Sequence, residues 1–451
     1  MTLSPTTSPS KTIVIIGGGP AGLSCCVRLI SYGFRVVLIE GSRNLGGRAA
    51  SYLDSESGEF LDFGPHTIIE SNHHFLQYLS LVGTRTLVQF APTLTIPFIQ
   101  PGIKSATFHC PAWHPPWGFA WGLLNFQLLS FRDRCQAIRL GLLLTRKIIP
   151  PSSDISIEEW FRKQKVTPTA RKIFWEPLVY AAFNNHPAKV GVASLQQVLR
   201  QGFLAPNQRS GLGIPQTDWG HIIVGNLPQQ MASSGGRIIT GQRVKEFWIE
   251  EGRVKGVILS AGEHILADAI ITAIPPKHLA PLFSSIPKWL KPALQFPCSP
   301  IISLHWIGVN PLPMNPPFAF IDSPVQWVFS RPMTKNKNKV ILSTITSGND
   351  VLFSKSSIDL SHTIKSEIQR AFPRWIPGVE GRTVLRKVRQ ATITIGPGQE
   401  PLRPASSTDI PGLFIAGDWT NTGVPPTLES AVKSGEHAAE EVARMYKMIP
   451  A

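Results

Sequence analysis

The sequence predicts an α/β fold of Rossmann type, a parallel sheet carrying a β-meander, with an α+β module inserted into it. Three observations predict it. An apolar run at 12–17 leads into Gly17-Gly-Gly19-Pro-Ala-Gly22, a glycine-rich turn between a strand and a helix. A second strand–turn–helix unit lies near the C-terminus, where Gly412-Leu-Phe-Ile-Ala-Gly417-Asp418 runs into a helical segment. Between them the hydrophobic pattern changes twice, becoming helix-rich after about residue 90 and returning to a strand meander at about 237.

Taken in order, 12–17 is a buried strand, 21–32 a helix ended by Gly33, and 35–39 the next strand, ending at Glu40; this is a βαβ unit. Short strands are predicted at 60–64 and 67–69. A helix follows at 72–82, with Phe75, Leu76, Leu79 and Val82 on one face. Residues 90–121 are rich in Pro, Trp and Phe, with β-branched stretches. Helices are predicted at 118–131, 132–149, 157–165 and 169–182, so the block to about 220 reads as a separate module. Strands at 237–239, 244–249, 253–259 and 264–266 alternate as a meander, and 269–273 is a buried strand stopped by Pro275-Pro276. A second β-rich insertion holds strands at 301–309, 327–330 and 340–346 and a helix at 359–371. The last helix spans 427–445. One domain is therefore assembled from 1–89, 221–299 and 396–451, and the inserted one from 90–220 and 300–395.

A chain of 451 residues with 43% hydrophobic content is long enough for two or three domain-sized units and is not a disordered composition. Its formal charge of +15 suits either a soluble basic protein or attraction to an anionic membrane surface. Nucleic acid is disfavoured, because no basic run is interleaved with aromatics. Cys25, Cys26, Cys110, Cys135 and Cys298 form no CxxC pair, so neither a disulfide framework nor a metal site is expected, and a reducing compartment is. Residues 1–11 are polar and lead straight into the first strand, unlike a signal peptide. No apolar stretch reaches the ~20 residues needed to span a bilayer. A cytoplasmic protein, peripheral on the inner face of the membrane, is expected.

In the first turn, Gly17 permits a tight bend, Gly19 lets a pyrophosphate approach the backbone, and Gly22 lets helix and strand pack closely. The helix N-terminus then faces the phosphates with its dipole and free N–H groups. Glu40, at the end of the second strand, is placed to accept hydrogen bonds from an adenosine ribose. Gly46-Gly47-Arg48 follows, with an arginine suited to a phosphate, or simply solvated in a loop.

Glu40 followed by Gly46-Gly47-Arg48 resembles the FAD-binding signature of the flavin amine oxidase and phytoene desaturase superfamily, and Gly417-Asp418 resembles its second signature. The resemblance implies FAD as cofactor, Asp418 near the ribityl or pyrophosphate region, and the helix after Pro425 and Thr427 aimed at the flavin. It places Val244 and Ala273 beside the adenine, although hydrophobic strand residues are more often core. Several segments narrow the match. Leu61-Asp62-Phe63-Gly64-Pro65-His66, Glu176 to Asn184, Val198 to Phe203, Pro215 to Trp219 and Gly417 to Pro425 resemble the hydroxysqualene dehydroxylases. Pro65 and Ala50 depart from that family's usual residues.

The narrower resemblance implies removal of the hydroxyl of hydroxysqualene, a C30 isoprenoid, to give squalene for hopanoid or triterpenoid synthesis. A carotenoid (phytoene-type) desaturase, a flavin amine oxidase and a non-catalytic FAD-containing partner are the competing readings. Such a reaction needs a proton donor for the leaving hydroxyl, a π-rich or anionic surround for the developing cation, and exclusion of water. His66 is the candidate donor, since an imidazole titrates near ~6.5; it reads equally as a histidine that orders the flavin loop. Asp62 reads as a structural loop carboxylate, and Asp218-Trp219 as structural. Trp419 and Phe203 could line the substrate pocket or could simply pack. From Trp113 to Lys147, Trp113, Trp117, Phe119, Trp121, Leu123, Leu124, Phe126, Leu128, Leu129 and Phe131 precede Arg132, Arg134, Arg139, Arg146 and Lys147. This suits a membrane-surface helix, or a core helix with a basic outer face.

Overall fold

The computed structural model describes residues 11–146, 149–150, 153–203, 211–378 and 381–448. Five parallel strands form a central sheet in the order Arg237–Thr240, Arg35–Glu40, Thr12–Ile16, Ala269–Thr272 and Leu413–Ile415. Both faces are covered, which is why these strands read as unbroken apolar runs. Ile13, Ile15, Val36, Leu38 and Ile271 pack against the first helix, Pro20–Ser31, and the last, Leu428–Met445. The alternate residues Val14, Ile16, Val37, Ile39 and Ile270 pack under the meander through Phe247, Val254, Val257 and Leu259. The meander strands are Val244–Glu250, Arg253–Leu259 and His264–Leu266.

The first and last helices lie back to back. A Cβ on Gly435 would sit 2.2 Å from the Ala21 carbonyl oxygen, so no larger residue is accommodated at this crossing. The Ser24 hydroxyl donates to the Val432 carbonyl at 3.0 Å. The two ends of the described chain thus share one core.

The inserted module is organised on a seven-stranded sheet, in the order Arg382–Ile393, Cys298–Val309, Val340–Ser347, Trp327–Pro332, Phe318–Phe320, Leu94–Gln100 and Lys104–Cys110. Phe318–Phe320 runs parallel to Leu94–Gln100, and the other neighbours are antiparallel. The sheet joins strands from both sequence insertions. Helices from the first insertion cover one face through Phe126, Trp160, Phe161 and Trp175. Helix Ser357–Ala371 covers the other with Leu360, Ile364 and Ile368.

Several elements differ from expectation. The helix predicted at 118–131 ends earlier, as Trp117–Asn125, and a new helix begins at Phe131. Ser130 breaks the run: its hydroxyl accepts the Asp133 N–H at 3.2 Å and donates to the Asp133 carboxylate at 2.7 Å, a reciprocal cap. The strands Leu94–Gln100, Lys104–Cys110 and Arg382–Ile393 are additions to the predicted set. The boundary placed at 220 falls inside helix Trp219–Val224, whose Trp219, Ile222 and Ile223 belong to the core of the parallel-sheet domain.

Candidate cofactor and active site

The first strand ends in Gly17, held at φ +107° and donating its N–H to the Ile39 carbonyl at 2.8 Å. A Cβ on Gly22 would lie 1.9 Å from the Gly17 carbonyl oxygen, so only glycine lets helix and strand approach this closely. Gly19 caps the helix without a side chain, Pro20 has no N–H to offer, and the first turn holds no acid. The positive end of this helix is therefore left for an anion. Gly46 and Gly47 close over the turn. Gly46 N–H donates to the Gly18 carbonyl at 2.7 Å, and a Cβ on Gly47 would lie 2.9 Å from the Gly19 Cα. The Glu40 carboxylate accepts the Gly18 N–H at 2.6 Å and the Ser42 N–H at 2.7 Å. A carboxylate has about four acceptor sites, so sites remain for ribose hydroxyls. Val244 opens the meander opposite Leu259, close after the edge strand Arg237–Thr240.

The two signatures meet through Arg48, whose Nη2 donates to Asp418 Oδ1 at 2.6 Å. The arginine is partly exposed but not free: its second nitrogen reaches the Ala391 carbonyl at 3.4 Å. Gly417, at φ +143°, donates its N–H to the Ser434 hydroxyl at 2.7 Å. Pro425 is buried, and its carbonyl accepts the Thr427 hydroxyl at 3.1 Å. That hydroxyl also caps the last helix by accepting the Ser430 N–H at 3.3 Å. Arg403, unremarked in the sequence, holds this turn from within. Its guanidinium donates to Glu400 at 2.5 Å and to the carbonyls of Val424 at 2.8 Å and Asp418 at 3.0 Å. It also reaches the hydroxyls of Thr422 at 3.1 Å and Ser430 at 3.2 Å.

These residues fit FAD. The uncapped helix end and the glycine cradle would take its pyrophosphate, Glu40 its adenosine ribose, and the Asp418–Thr427 turn its flavin end. The arrangement draws on both ends of the chain, as a two-ended cofactor requires.

Beside the grip lies a small, partly open cleft. Leu212, Ile214, Phe329 and Ile341 give it apolar walls, and Asp62, His66, Arg331 and Ser343 supply polar groups. His66 stands between the two regions. It lines the cleft, and the charge of Arg48 acts on it. Burial, reinforced by Arg48, lowers its pKa to about 4. The imidazole is therefore neutral at pH 7, which removes the basis for treating His66 as a resident cationic acid. Its packing edge-on to Trp219, with ring centroids 6.1 Å apart, suits the loop-ordering reading.

Trp419 requires a correction. It is 1% exposed and packs in the core beneath the meander, not along the cleft, because the bend at Gly417 folds its indole back over that glycine. Phe203 ends a π-helical turn, Leu199–Phe203, and its side chain lies outside the described residues. Asp218 is structural, its carboxylate capping helix Trp219–Val224 at the His221 N–H, 2.9 Å away. No cluster able to hold a metal ion occurs among the described residues.

Comparison with known proteins gives a consistent picture. The family described as flavin containing amine oxidoreductase matches residues 20–443. A hydroxysqualene dehydroxylase from Rhodopseudomonas palustris is 27% identical, over 96% of this chain and 98% of that protein. A second, from Sinorhizobium fredii, is 24% identical over 95% and 98%. The 15-cis-phytoene desaturase of an Oncidium hybrid is 23% identical, over 96% of this chain but 78% of its own length. Among solved structures, an oxidoreductase from Methanosarcina mazei superposes with a TM-score of 0.73 at 18% identity, over 96% of this chain and all of the other.

Proposed function

We propose that this chain, which belongs to the flavin containing amine oxidoreductase family and is an FAD-dependent oxidoreductase, reductively removes the hydroxyl of hydroxysqualene or a similar C30 isoprenoid alcohol. The product would be squalene, a precursor for hopanoid or triterpenoid synthesis. One observation carries the reading: the chain spans 98% of each hydroxysqualene dehydroxylase but 78% of the phytoene desaturase. When bound and reduced, FAD supplies the hydride equivalent that replaces the lost oxygen. The chain's own residues would do the rest. The glycine turns and helix ends hold the cofactor, Leu212, Ile214, Phe329 and Ile341 exclude water around a hydrocarbon, and the polar patch receives the alcohol oxygen.

A peripheral position on the inner face of a membrane belongs to the same proposal. No described helix is long and apolar enough to cross a bilayer. Trp113, Trp117, Trp121, Leu124 and Phe131 are nevertheless exposed beside the exposed Arg132 and Arg139. That combination suits an anionic lipid surface, where a C30 substrate dissolves.

The test is product analysis after anaerobic incubation of the purified protein with dithionite-reduced FAD and hydroxysqualene. Squalene is expected. Phytoene turnover with a quinone acceptor, without squalene, would install the desaturase reading instead, and bound flavin with neither activity would leave a non-catalytic partner.

A further inference from the structure

We propose that Asp62 is the acid that protonates the departing hydroxyl, and that the cleft it lines is the alcohol subsite; this rests on the reading above. The sequence suggests a structural carboxylate here, and half of the group does have that role. Oδ1 accepts the Ser51 hydroxyl at 2.6 Å and the Trp219 N–H at 2.8 Å. Those two bonds fix the carboxyl plane between the strand pair after Arg48 and helix Trp219–Val224. Oδ2 makes no hydrogen bond among the described residues, although Asp62 is buried and lines the cleft. One oxygen is anchored, and the other is left to an occupant of the cleft.

The other polar groups around the cleft do not serve as acids. Burial and Arg48 hold His66 at about 4, and burial and Arg331 hold His305 at about 4, so both rings are neutral. His305 Nδ1 shares a hydrogen bond with the Ser343 hydroxyl at 2.8 Å, which occupies that serine. Arg331 is committed to the Phe60 carbonyl, to which its guanidinium donates. Asp62 differs: burial raises its carboxyl to about 6, and the nearby Asp218 pushes the same way. The charge of Arg331 and the hydrogen bonds from Ser51 and Trp219 oppose this. It keeps a protonated fraction up to about pH 6, where it is a competent acid.

The step balances. The allylic C–O bond breaks with both electrons on oxygen, the oxygen takes the Asp62 proton and leaves as water, and the carbon receives its hydride equivalent from reduced flavin. Asp62 then regains a proton from water. Arg331 and the neutral histidines add no acid of their own; they set the field in which Asp62 titrates.

Asp62→Asn keeps an acceptor for Ser51 and Trp219 and removes the proton. The variant should retain FAD, its flavin spectrum and its thermal midpoint, and lose at least ~100-fold in kcat for squalene formation. Wild-type activity in that variant would overturn the assignment. In the wild-type holoenzyme the rate should fall as pH rises through about 6, because the protonated fraction is lost. Ser51→Ala removes a bond that favours the charged form, so it should move this limb to higher pH; a limb that stays put also overturns the assignment, even if the asparagine variant does not fold. A wild type that makes no squalene defeats the underlying reading and the inference with it, whereas a squalene-forming Asp62→Asn defeats only the inference.

Discussion

At Arg403 an Arg-Pro loop dipeptide becomes a buried anchor. Its side chain is fully excluded from solvent and bonded to Glu400, to the Asp418 and Val424 carbonyls, and to two hydroxyls around the start of the last helix. An arginine beside a proline between two elements carries no pattern, so only the fold reveals this role. Arg403→Met would leave Glu400 unpaired and the Val424 and Asp418 carbonyls with only their longer bonds from the Thr422 and Ser430 hydroxyls. We expect a loss of about 3–5 kcal/mol in urea unfolding, with loss of bound flavin absorbance. Wild-type stability with full flavin content would show that the anchor is dispensable. The glycines behaved differently. Gly17 and Gly22 are needed for reasons the spacing already implied, a bend and a close packing, and the fold adds the close approach of Gly47 to Gly19. His66 shows the limit, because its free pKa says nothing about the burial and the neighbouring arginine that neutralise it.

At the scale of elements, legibility followed hydrophobic contrast. The parallel strands and the meander stood out because they alternate or run apolar between turn residues. Arg382–Ile393 did not, since it is an edge strand of the seven-stranded sheet whose mixed charged and apolar residues are mostly half-buried. The aromatic segment was found but its faces were not. Phe119, Leu123, Phe126, Leu128 and Leu129 are buried in the helical core, and Trp113, Trp117, Trp121, Leu124 and Phe131 are exposed, Trp117 by 67% and Phe131 by 72%. Arg134 is tied to the Leu124 and Leu129 carbonyls, while the Arg146 side chain and Lys147 lie outside the described residues. The triple variant Trp117→Ser, Trp121→Ser, Phe131→Ser should keep its stability and lose tenfold or more in binding to phosphatidylglycerol liposomes, about 1.4 kcal/mol. Phe126→Ser should instead cost about 3–5 kcal/mol of stability, because it opens a cavity. Unchanged liposome binding in the triple variant would remove the membrane surface from the proposal.

For the whole molecule, the decisive fact is that the last helix completes the core begun by the first. A chain stopped after Thr427 would expose the face of Pro20–Ser31 that packs on Val432 and Gly435, and would uncover one side of the parallel sheet. It should show no cooperative thermal transition by circular dichroism and bind no FAD; a cooperative, flavin-binding fragment would refute the shared core. The sequence by itself determined the fold class and the glycine turns that take a pyrophosphate, because backbone conformation, strand periodicity and the chemistry of phosphate binding are local; its resemblance to a flavin-binding family supplied the identity of the cofactor. Tertiary structure alone decided the meeting of Arg48 with Asp418, the burial of Arg403 and Trp419, the neutrality of His66 and the raised pKa of Asp62. Each of these depends on desolvation and on charges brought together from distant segments, and neither quantity exists until the chain has folded.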